Sequence, residues 1–201
     1  IVSDTEATAA GMFTTNQVCA APVKLCVERV RKGRAQAVVV NSGNANAGTG
    51  EQGMQDALLS CTELAKVTGG AANQVLPFST GVIGQPLPVT KITEALPAAI
   101  KNLALDNWDK AARAIMTTDT FPKGVSKSIT IAGQSITING ISKGAGMIQP
   151  NMATMLGFIA TDAKINQALL QKCLTLAVEQ SFNRITVDGD TSTNDACVVM
   201  A

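Results

Sequence analysis

Short apolar runs alternate along this chain with segments of helical periodicity, and this alternation restricts the fold more than any other feature. The runs are the length of buried strands and are bounded by Gly- and Asn-rich turns. They occupy residues 35–40, 75–79, 156–160 and 197–200. A further strand is predicted at 184–187, and the polar–apolar alternation of 128–131 and 135–138 around Gly133-Gln134 predicts a hairpin with one solvated face.

Helical spacing is found between the strand-like runs. Apolar residues recur every three or four positions in 52–67, and Gly69-Gly70 supplies the stop. Residues 165–182 are predicted to form an amphipathic helix, with the same spacing at Leu169, Leu170, Cys173, Leu176, Ala177 and Gln180. Two further helices are predicted near Thr90 and Asp106, with Pro97 breaking or kinking the first. The sequence therefore predicts one compact α/β unit of 201 residues.

Composition excludes several classes of protein. Apolar residues make up 46% and charged residues only 15%, which argues against disorder, and no apolar run reaches the 18 or so residues of a membrane span. The net charge of +1 and the lack of a basic run argue against nucleic acid as a partner. Five scattered cysteines without a C-x-x-C pair are typical of reduced thiols, so we expect a cytoplasmic protein without disulfides.

The chain contains no histidine. It therefore cannot by itself build a Ser-His-Asp site, a Cys-His site or a His-ligated metal site. A nucleophile in this chain must be activated by a lysine, a carboxylate or an amino terminus. We expect no metal and no resident cofactor.

Two loops each allow two interpretations. Gly48, Gly50 and Gly53 match the G-x-G-x-x-G pattern of a phosphate-binding loop before a helix. The first glycine, however, lies too far past the end of the strand. A loop of Asx turns and left-handed conformers is therefore the better interpretation. The carboxylates and amides of 188–195 resemble a cation loop, but the EF-hand spacing fails. Capping of backbone N–H groups, or the lining of a cleft, is the better interpretation there.

Two further segments point to acyl chemistry. Thr80-Gly81 follows an apolar strand and could present a hydroxyl and a backbone N–H to an oxyanion. Thr154 begins a strand after a turn that contains two glycines and Pro150-Asn151. If Thr154 were released as a new amino terminus, its own amine could serve as its base, and Lys143 could bind a carboxylate.

Six ordered motifs resemble the ornithine acetyltransferase family, the glutamate N-acetyltransferases of arginine biosynthesis, and the resemblance extends over all 201 residues. The self-cleavage segment of that family is similar to KGAGMIQPNMATML at 143–156. The other motifs are AGMFTTN at 10–16 with AAP at 20–22, VNSGNANA at 40–47, STGVIG at 79–84, IMTTDTFPK at 115–123 and DGDTSTND at 188–195.

The resemblance implies that the precursor cleaves itself between Ala153 and Thr154, so that residues 1–153 belong to one chain and 154–201 begin a second. Thr154 would then carry acetyl from N-acetylornithine to glutamate. The family's oxyanion donors correspond to Thr80 and Gly81, and its substrate-binding residues correspond to Thr117, Lys143 and Thr154. The implied fold is a layered αββα sandwich that resembles amino-terminal nucleophile hydrolases but is connected differently.

Family members are longer, and the resemblance implies further substrate residues beyond Ala201. It also implies a heterotetramer of two cleaved pairs, and acetyl-CoA as an alternative donor in some members. Two other functions stay open at this point. One is a related threonine amidase or peptidase that transfers its acyl group to water. The other is a non-catalytic module that binds a phosphorylated ligand at the loop of Gly48 to Gly53.

Overall fold

The computed structural model describes residues 1–148 and 155–201. Twelve helices and strands, in chain order, are β1 (Val2–Phe13), α1 (Ala21–Val30), β2 (Arg34–Asn44), α2 (Gly50–Thr68), β3 (Val75–Val82), α3 (Val89–Lys101), α4 (Trp108–Ala114), β4 (Lys123–Ile131), β5 (Gln134–Lys143), β6 (Leu156–Thr161), α5 (Gln167–Gln180) and β7 (Ala196–Met200). None of the helices in these two ranges is long and apolar enough to cross a membrane.

The seven strands hydrogen-bond in the order β3-β2-β1-β7-β6-β5-β4. Two pairs, β2 with β3 and β6 with β7, are parallel, and the rest are antiparallel. The register of β1 against β2 shifts between Val2 and Ala7, and the two halves of β1 pair with different neighbours. The long strand β1 therefore joins a three-stranded part of the sheet to a five-stranded part.

The sheet folds over on itself. Phe78 of β3 and Phe158 of β6 make an edge-to-face contact with ring centroids 5.0 Å apart. In a flat sheet, four strand steps of about 4.8 Å would separate these strands by about 19 Å. The two parts of the sheet must therefore face each other, and the central apolar cluster, which includes Phe78, Val38, Leu156, Phe158 and Val198, fills the space between them.

Helices cover the outer faces. Ala37 of β2 packs with Cys61 and Leu64 of α2, whereas its neighbour Val38 points into the central cluster. Similarly, Val199 of β7 packs with Leu174 of α5 in a separate cluster. Because successive side chains of a strand point to opposite faces, helices and sheets form four layers. The predicted αββα sandwich is therefore confirmed.

The hairpin and most of the predicted elements are also confirmed. The hairpin of β4 and β5 turns at Ala132 and Gly133, both with positive φ, one residue earlier than the predicted turn at Gly133-Gln134. Gly69 ends α2 in the left-handed conformation. Pro97 lies inside α3. All five cysteines are free, although Cys173 is exposed.

Two predictions are wrong in detail. Residues 184–187 do not form a strand: a 3-10 helix ends at Arg184, and irregular backbone follows it. In α5 the buried residues are Leu170, Leu174 and Val178, whereas Leu169, Leu176 and Cys173 are exposed. Leucines lie on both sides of this helix, so the periodicity alone did not decide which stripe would pack against the sheet.

Gly81 has a backbone that leaves no room for a side chain. Its φ is +133°, and a Cβ atom would overlap the backbone of Gly43 on β2. We expect Gly81→Ala to lower the free energy of unfolding by about 2–5 kcal/mol, since strain and overpacking add. Urea unfolding of the whole protein measures this loss.

Gly84→Ala is the matched control, because Gly84 also has a positive φ of +79° but nothing lies within 4 Å of its Cβ position. It should cost only about 1 kcal/mol. Equal losses in the two variants would show that the close approach of Gly81 to Gly43 has no energetic consequence.

Candidate functional site

A small cavity opens where the two parts of the sheet meet. Residues from β3, β5, β6 and the loop that precedes β7 line it: Thr80, Lys143, Met155, Leu156, Ser192, Asn194 and Asp195. These residues are widely separated in the sequence, and the folding of the sheet brings them together. Two of the predicted site residues, Thr80 and Lys143, are among them.

Lys143, the last residue of β5, is the central charge of this cavity and is only 4% exposed. Its Nζ donates to the Thr80 hydroxyl oxygen at 3.1 Å and to the Thr117 hydroxyl oxygen at 2.9 Å. An ammonium group has three protons, so one more donor position is available. The structure thus brings together three of the residues that the sequence singled out: Thr80, Thr117 and Lys143.

Burial lowers the pKa of Lys143, while the negative charges of Asp119 and Asp195 act in the opposite direction. Burial alone would raise the pKa of Asp119, but hydrogen bonds from Lys123 and from the Gly144 N–H hold it below its ordinary value. Lys123 Nζ lies 2.6 Å from Asp119 Oδ1, and Gly144 N donates to the same oxygen at 2.7 Å. Asp119 therefore holds the residue that follows Lys143 and adds a fixed negative charge nearby.

The position of Thr80 depends on Asn194, which sequence reasoning did not single out. The buried Asn194 amide donates to the Ala45 carbonyl at 2.6 Å and to the Ser79 carbonyl at 2.9 Å. Ser79 is bonded directly to Thr80, so this amide fixes the peptide that leads into the predicted oxyanion segment. Within 188–195, only the high density of polar side chains indicated such a role.

Asp195 is a second site residue that the sequence did not single out. It is 1% exposed, and its Oδ1 accepts the Met155 N–H at 3.1 Å, whereas its Oδ2 has no hydrogen-bond partner among the residues that the structure describes. Burial raises the pKa of Asp195 to about 7, and hydrogen bonding to Ser192, the Met155 N–H and the Lys143 charge only partly offset this rise. The carboxyl group therefore changes charge near neutral pH.

The predicted nucleophile Thr154 and the predicted cleavage partner Ala153 lie outside the described residues. The described backbone resumes at Met155, the residue after Thr154, and Met155 lines the cavity with Thr80 and Lys143. The roles predicted for Thr154, Ala153, Thr80, Gly81, Thr117 and Lys143 stay predictions.

The loop that contains Gly48 and Gly50 and the 188–195 loop have the turn and capping structures that were the preferred interpretations of their sequences. Asn44 Oδ1 accepts the Asn46 N–H, and Asn46, Gly48 and Gly50 have positive φ, so the 44–50 loop consists of an Asx turn and left-handed conformers. In the 188–195 segment, Asp188 caps two backbone N–H groups. Within residues 1–148 and 155–201, no three acidic or cysteine side chains are grouped to bind a metal ion.

The chain is similar to known proteins of one family. The ArgJ family model matches residues 1–201. The arginine biosynthesis bifunctional protein ArgJ of Pseudomonas syringae pv. tomato is 58% identical over 192 residues, which cover 96% of this chain and 47% of that protein. The ArgJ protein of Methylococcus capsulatus is 59% identical over the same shares. The chain thus spans about half the length of these relatives.

Solved structures give the same result. The ArgJ structure from Bacillus halodurans superposes with a TM-score of 0.69 at 37% identity, covering 76% of this chain and 80% of that one. The ornithine acetyltransferase of Mycobacterium tuberculosis, solved with ornithine, has a TM-score of 0.62 at 34% identity and covers 74% and 78%.

A more distant neighbour shows the fold alone. The L-aminopeptidase D-Ala-esterase/amidase of Ochrobactrum anthropi, described as a variant of the Ntn hydrolase fold, has a TM-score of 0.52 at 12% identity and covers 99% of this chain and 62% of that one. The layered fold, the six motifs and the match over residues 1–201 together show that this chain belongs to the ArgJ family.

Proposed function

We propose that the whole protein transfers an acetyl group from N-acetylornithine to glutamate in arginine biosynthesis, through an acetyl ester on Thr154. The observation that carries this proposal is the convergence of Lys143 Nζ with the Thr80 and Thr117 hydroxyls at the cavity lined by Met155. The structure of the Mycobacterium tuberculosis relative with bound ornithine supports an amino-acid substrate of this type.

Self-cleavage prepares the nucleophile. The Thr154 hydroxyl attacks the Ala153 carbonyl carbon, the C–N bond breaks, and the acyl group moves from nitrogen to oxygen as an ester. Water then hydrolyses this ester, which leaves a carboxylate on Ala153 and a free amine and hydroxyl on Thr154. A free α-amine has an ordinary pKa of about 7.7–8.0, so it can accept the hydroxyl proton near neutral pH.

Transfer then takes place in two steps. The Thr154 hydroxyl attacks the acetyl carbonyl of N-acetylornithine, and ornithine leaves with the transferred proton on its amine. The amine of glutamate attacks the resulting ester, which gives N-acetylglutamate and restores the Thr154 hydroxyl. Both substrates carry an α-carboxylate, and the remaining Lys143 proton donor can bind it.

Lys143 also affects the proposed oxyanion donor. Because the Thr80 hydroxyl oxygen accepts a hydrogen bond from Lys143, its own proton is directed elsewhere and is more strongly polarised. This proton and the Gly81 N–H are the donors that we assign to the developing oxyanion. The Thr117 hydroxyl accepts from Lys143 in the same way, so it can donate to substrate.

The remaining expectations belong to this proposal. They are a division of the precursor at 153/154, an assembly of two cleaved pairs, a cytoplasmic location and catalysis without a resident cofactor. The relatives' description as bifunctional supports acetyl-CoA as a second donor.

Thr154→Ala in the whole protein should abolish both self-cleavage and acetyl transfer, because it removes the attacking oxygen. Intact mass would show one uncut chain in place of two fragments, the second beginning at Thr154. Thr154→Ser is the control, since it keeps the hydroxyl and should still cleave. Transfer by an uncut Thr154→Ala protein would show that another residue is the nucleophile, and acetate release in place of N-acetylglutamate would favour the amidase alternative.

Lys143→Met should raise the KM for N-acetylornithine by about 10- to 100-fold, as expected when a charge-assisted hydrogen bond to a carboxylate is lost. The kcat should also fall, because Thr80 loses its polarising donor. Lys127→Met is the control, since it also removes one lysine charge but lies on the exposed strand β4. It should leave KM and kcat unchanged. An unchanged KM in Lys143→Met would show that this lysine does not bind the carboxylate.

The ionisation of Asp195 should change substrate binding. Below its pKa of about 7 the carboxyl is neutral; above it a negative charge develops beside Lys143, with Asp119 and Lys123 as the other charged groups nearby. The KM for N-acetylornithine should therefore rise as the pH increases from 6 to 8.5, since the new charge opposes the substrate carboxylate.

Asp195→Asn keeps the oxygen that accepts the Met155 N–H but cannot ionise, so its KM should stay flat over the same pH range. Steady-state kinetics of the cleaved protein at each pH separate this effect from kcat, which also reports the Thr154 amine. Identical pH profiles of KM in wild type and variant would remove Asp195 from substrate binding.

A further inference from the structure

The segment that contains the predicted cleavage bond is anchored on both sides by one stretch of chain. Described residues end at Ile148 before it and resume at Met155 after it. On each side, the backbone hydrogen-bonds to residues of the 187–196 stretch, which comprises the loop before β7 and the first residue of that strand. The self-cleavage signature and the DGDTSTND motif are therefore in direct contact.

The upstream anchor consists of Asp188 and its neighbours. The two carboxylate oxygens of Asp188 accept the Met147 N–H at 2.6 Å and the Ile148 N–H at 2.8 Å. In return, Val187 N donates to the Ile148 carbonyl at 2.8 Å, with Gly189 N at 3.4 Å from the same oxygen. The hydrogen bonds from Met147 and Ile148 also hold the pKa of Asp188 below its ordinary value, so the carboxylate is ionised at neutral pH.

The downstream anchor has the same design. Asp195 Oδ1 accepts the Met155 N–H at 3.1 Å, and Ala196 N donates to the Met155 carbonyl at 3.1 Å. In each anchor a carboxylate accepts the N–H of one flanking residue, and a neighbouring backbone N–H donates to the carbonyl of the same residue. That residue is Ile148 upstream and Met155 downstream. Asp188 and Asp195 are only seven positions apart. Their stretch is itself tied to the residue that follows β1, since the Thr14 hydroxyl donates to the Ser192 carbonyl at 2.6 Å.

The upstream anchor also holds a strained turn. Met147 has a φ of +58°, a conformation that is strained for a residue with a side chain and persists only where surrounding contacts impose it. The Asp188 carboxylate bonds to the N–H of this same residue. Asp188 thus stabilises a backbone conformation at Met147 that a residue with a side chain rarely adopts.

We propose that the 187–196 stretch is a clamp that presents the Ala153–Thr154 bond for self-cleavage, with Asp188 as a positioning residue specific to that step. The proposal rests on the proposed function, because it takes Thr154 as the attacking residue. An intramolecular attack depends on holding hydroxyl and carbonyl in one geometry, and fixing both ends of a short segment removes most competing conformations.

The two anchors have different fates after cleavage. Asp195 still holds Met155, which then follows the amino-terminal nucleophile. Asp188 holds Ile148, which then belongs only to the tail of the first chain. Asp188 should therefore matter for cleavage and not for acetyl transfer, whereas a residue that only maintains the fold would affect both reactions.

The test uses the whole protein, with Asp188→Asn and Asp188→Ala as variants. An Asn side chain keeps one of the two oxygens that accept the Met147 and Ile148 N–H groups, and Ala keeps neither. Self-cleavage should therefore slow by about 10-fold or more in Asp188→Asn and further in Asp188→Ala. Intact mass at timed intervals after synthesis gives the cleavage rate. The kcat and KM for acetyl transfer, expressed per cleaved molecule, should stay within about twofold of wild type.

Asp190→Asn is the matched control, since it removes the same charge from an exposed position two residues along the same loop. It should cleave at the wild-type rate with an unchanged melting temperature. Wild-type cleavage in both Asp188 variants overturns the clamp, and so does a parallel loss of cleavage, transfer per cleaved molecule and melting temperature. Cleavage in Thr154→Ala, by contrast, overturns the proposed function and the clamp with it.

Discussion

The buried ammonium group of Lys143 is the interaction on which the arrangement of the site depends. It joins the end of β3, through Thr80, to the segment after α4, through Thr117. Such a charge is costly to bury unless hydrogen bonds and opposite charges surround it. Here Asp119 supplies an opposite charge, and Asp195 adds a second one when it is ionised. The requirement to satisfy one lysine thus brings four separate segments to one point.

That convergence is possible only because the sheet folds over. The contact between Phe78 and Phe158 closes the two parts of the sheet on a common apolar core, and Lys143 and Thr80 lie on facing parts. The 187–196 stretch contacts both regions. Asn194 fixes the peptide before Thr80. Asp188 and Asp195 hydrogen-bond to Ile148 and Met155, which flank residues 149–154. Core packing and site geometry therefore depend on each other.

Elements with a strong local signal were predictable. The apolar runs of β2 and β3 and the two-residue hairpin turn are evident from the local sequence. Strand β1 and helix α1 were not predicted. In β1 the buried residues are Ala7, Ala9 and Ala10, and alanine has little strand preference. Residues 184–187 show the opposite error: Val187 has strand propensity, but its N–H bonds to the Ile148 carbonyl within a loop contact and not within a sheet.

The sequence by itself determined the family and the identity of Thr80, Thr117 and Lys143 as site candidates, because these follow from ordered motifs. It also determined that this chain contributes no histidine to a site. Only the tertiary structure decided that one ammonium group contacts both hydroxyls, that Asn194 and Asp195 join the site, and that Asp188 binds the flank of the cleavage segment. These contacts connect residues 26 to 115 positions apart. The folding of the sheet brings these distant positions into contact, and no local sequence pattern encodes that folding.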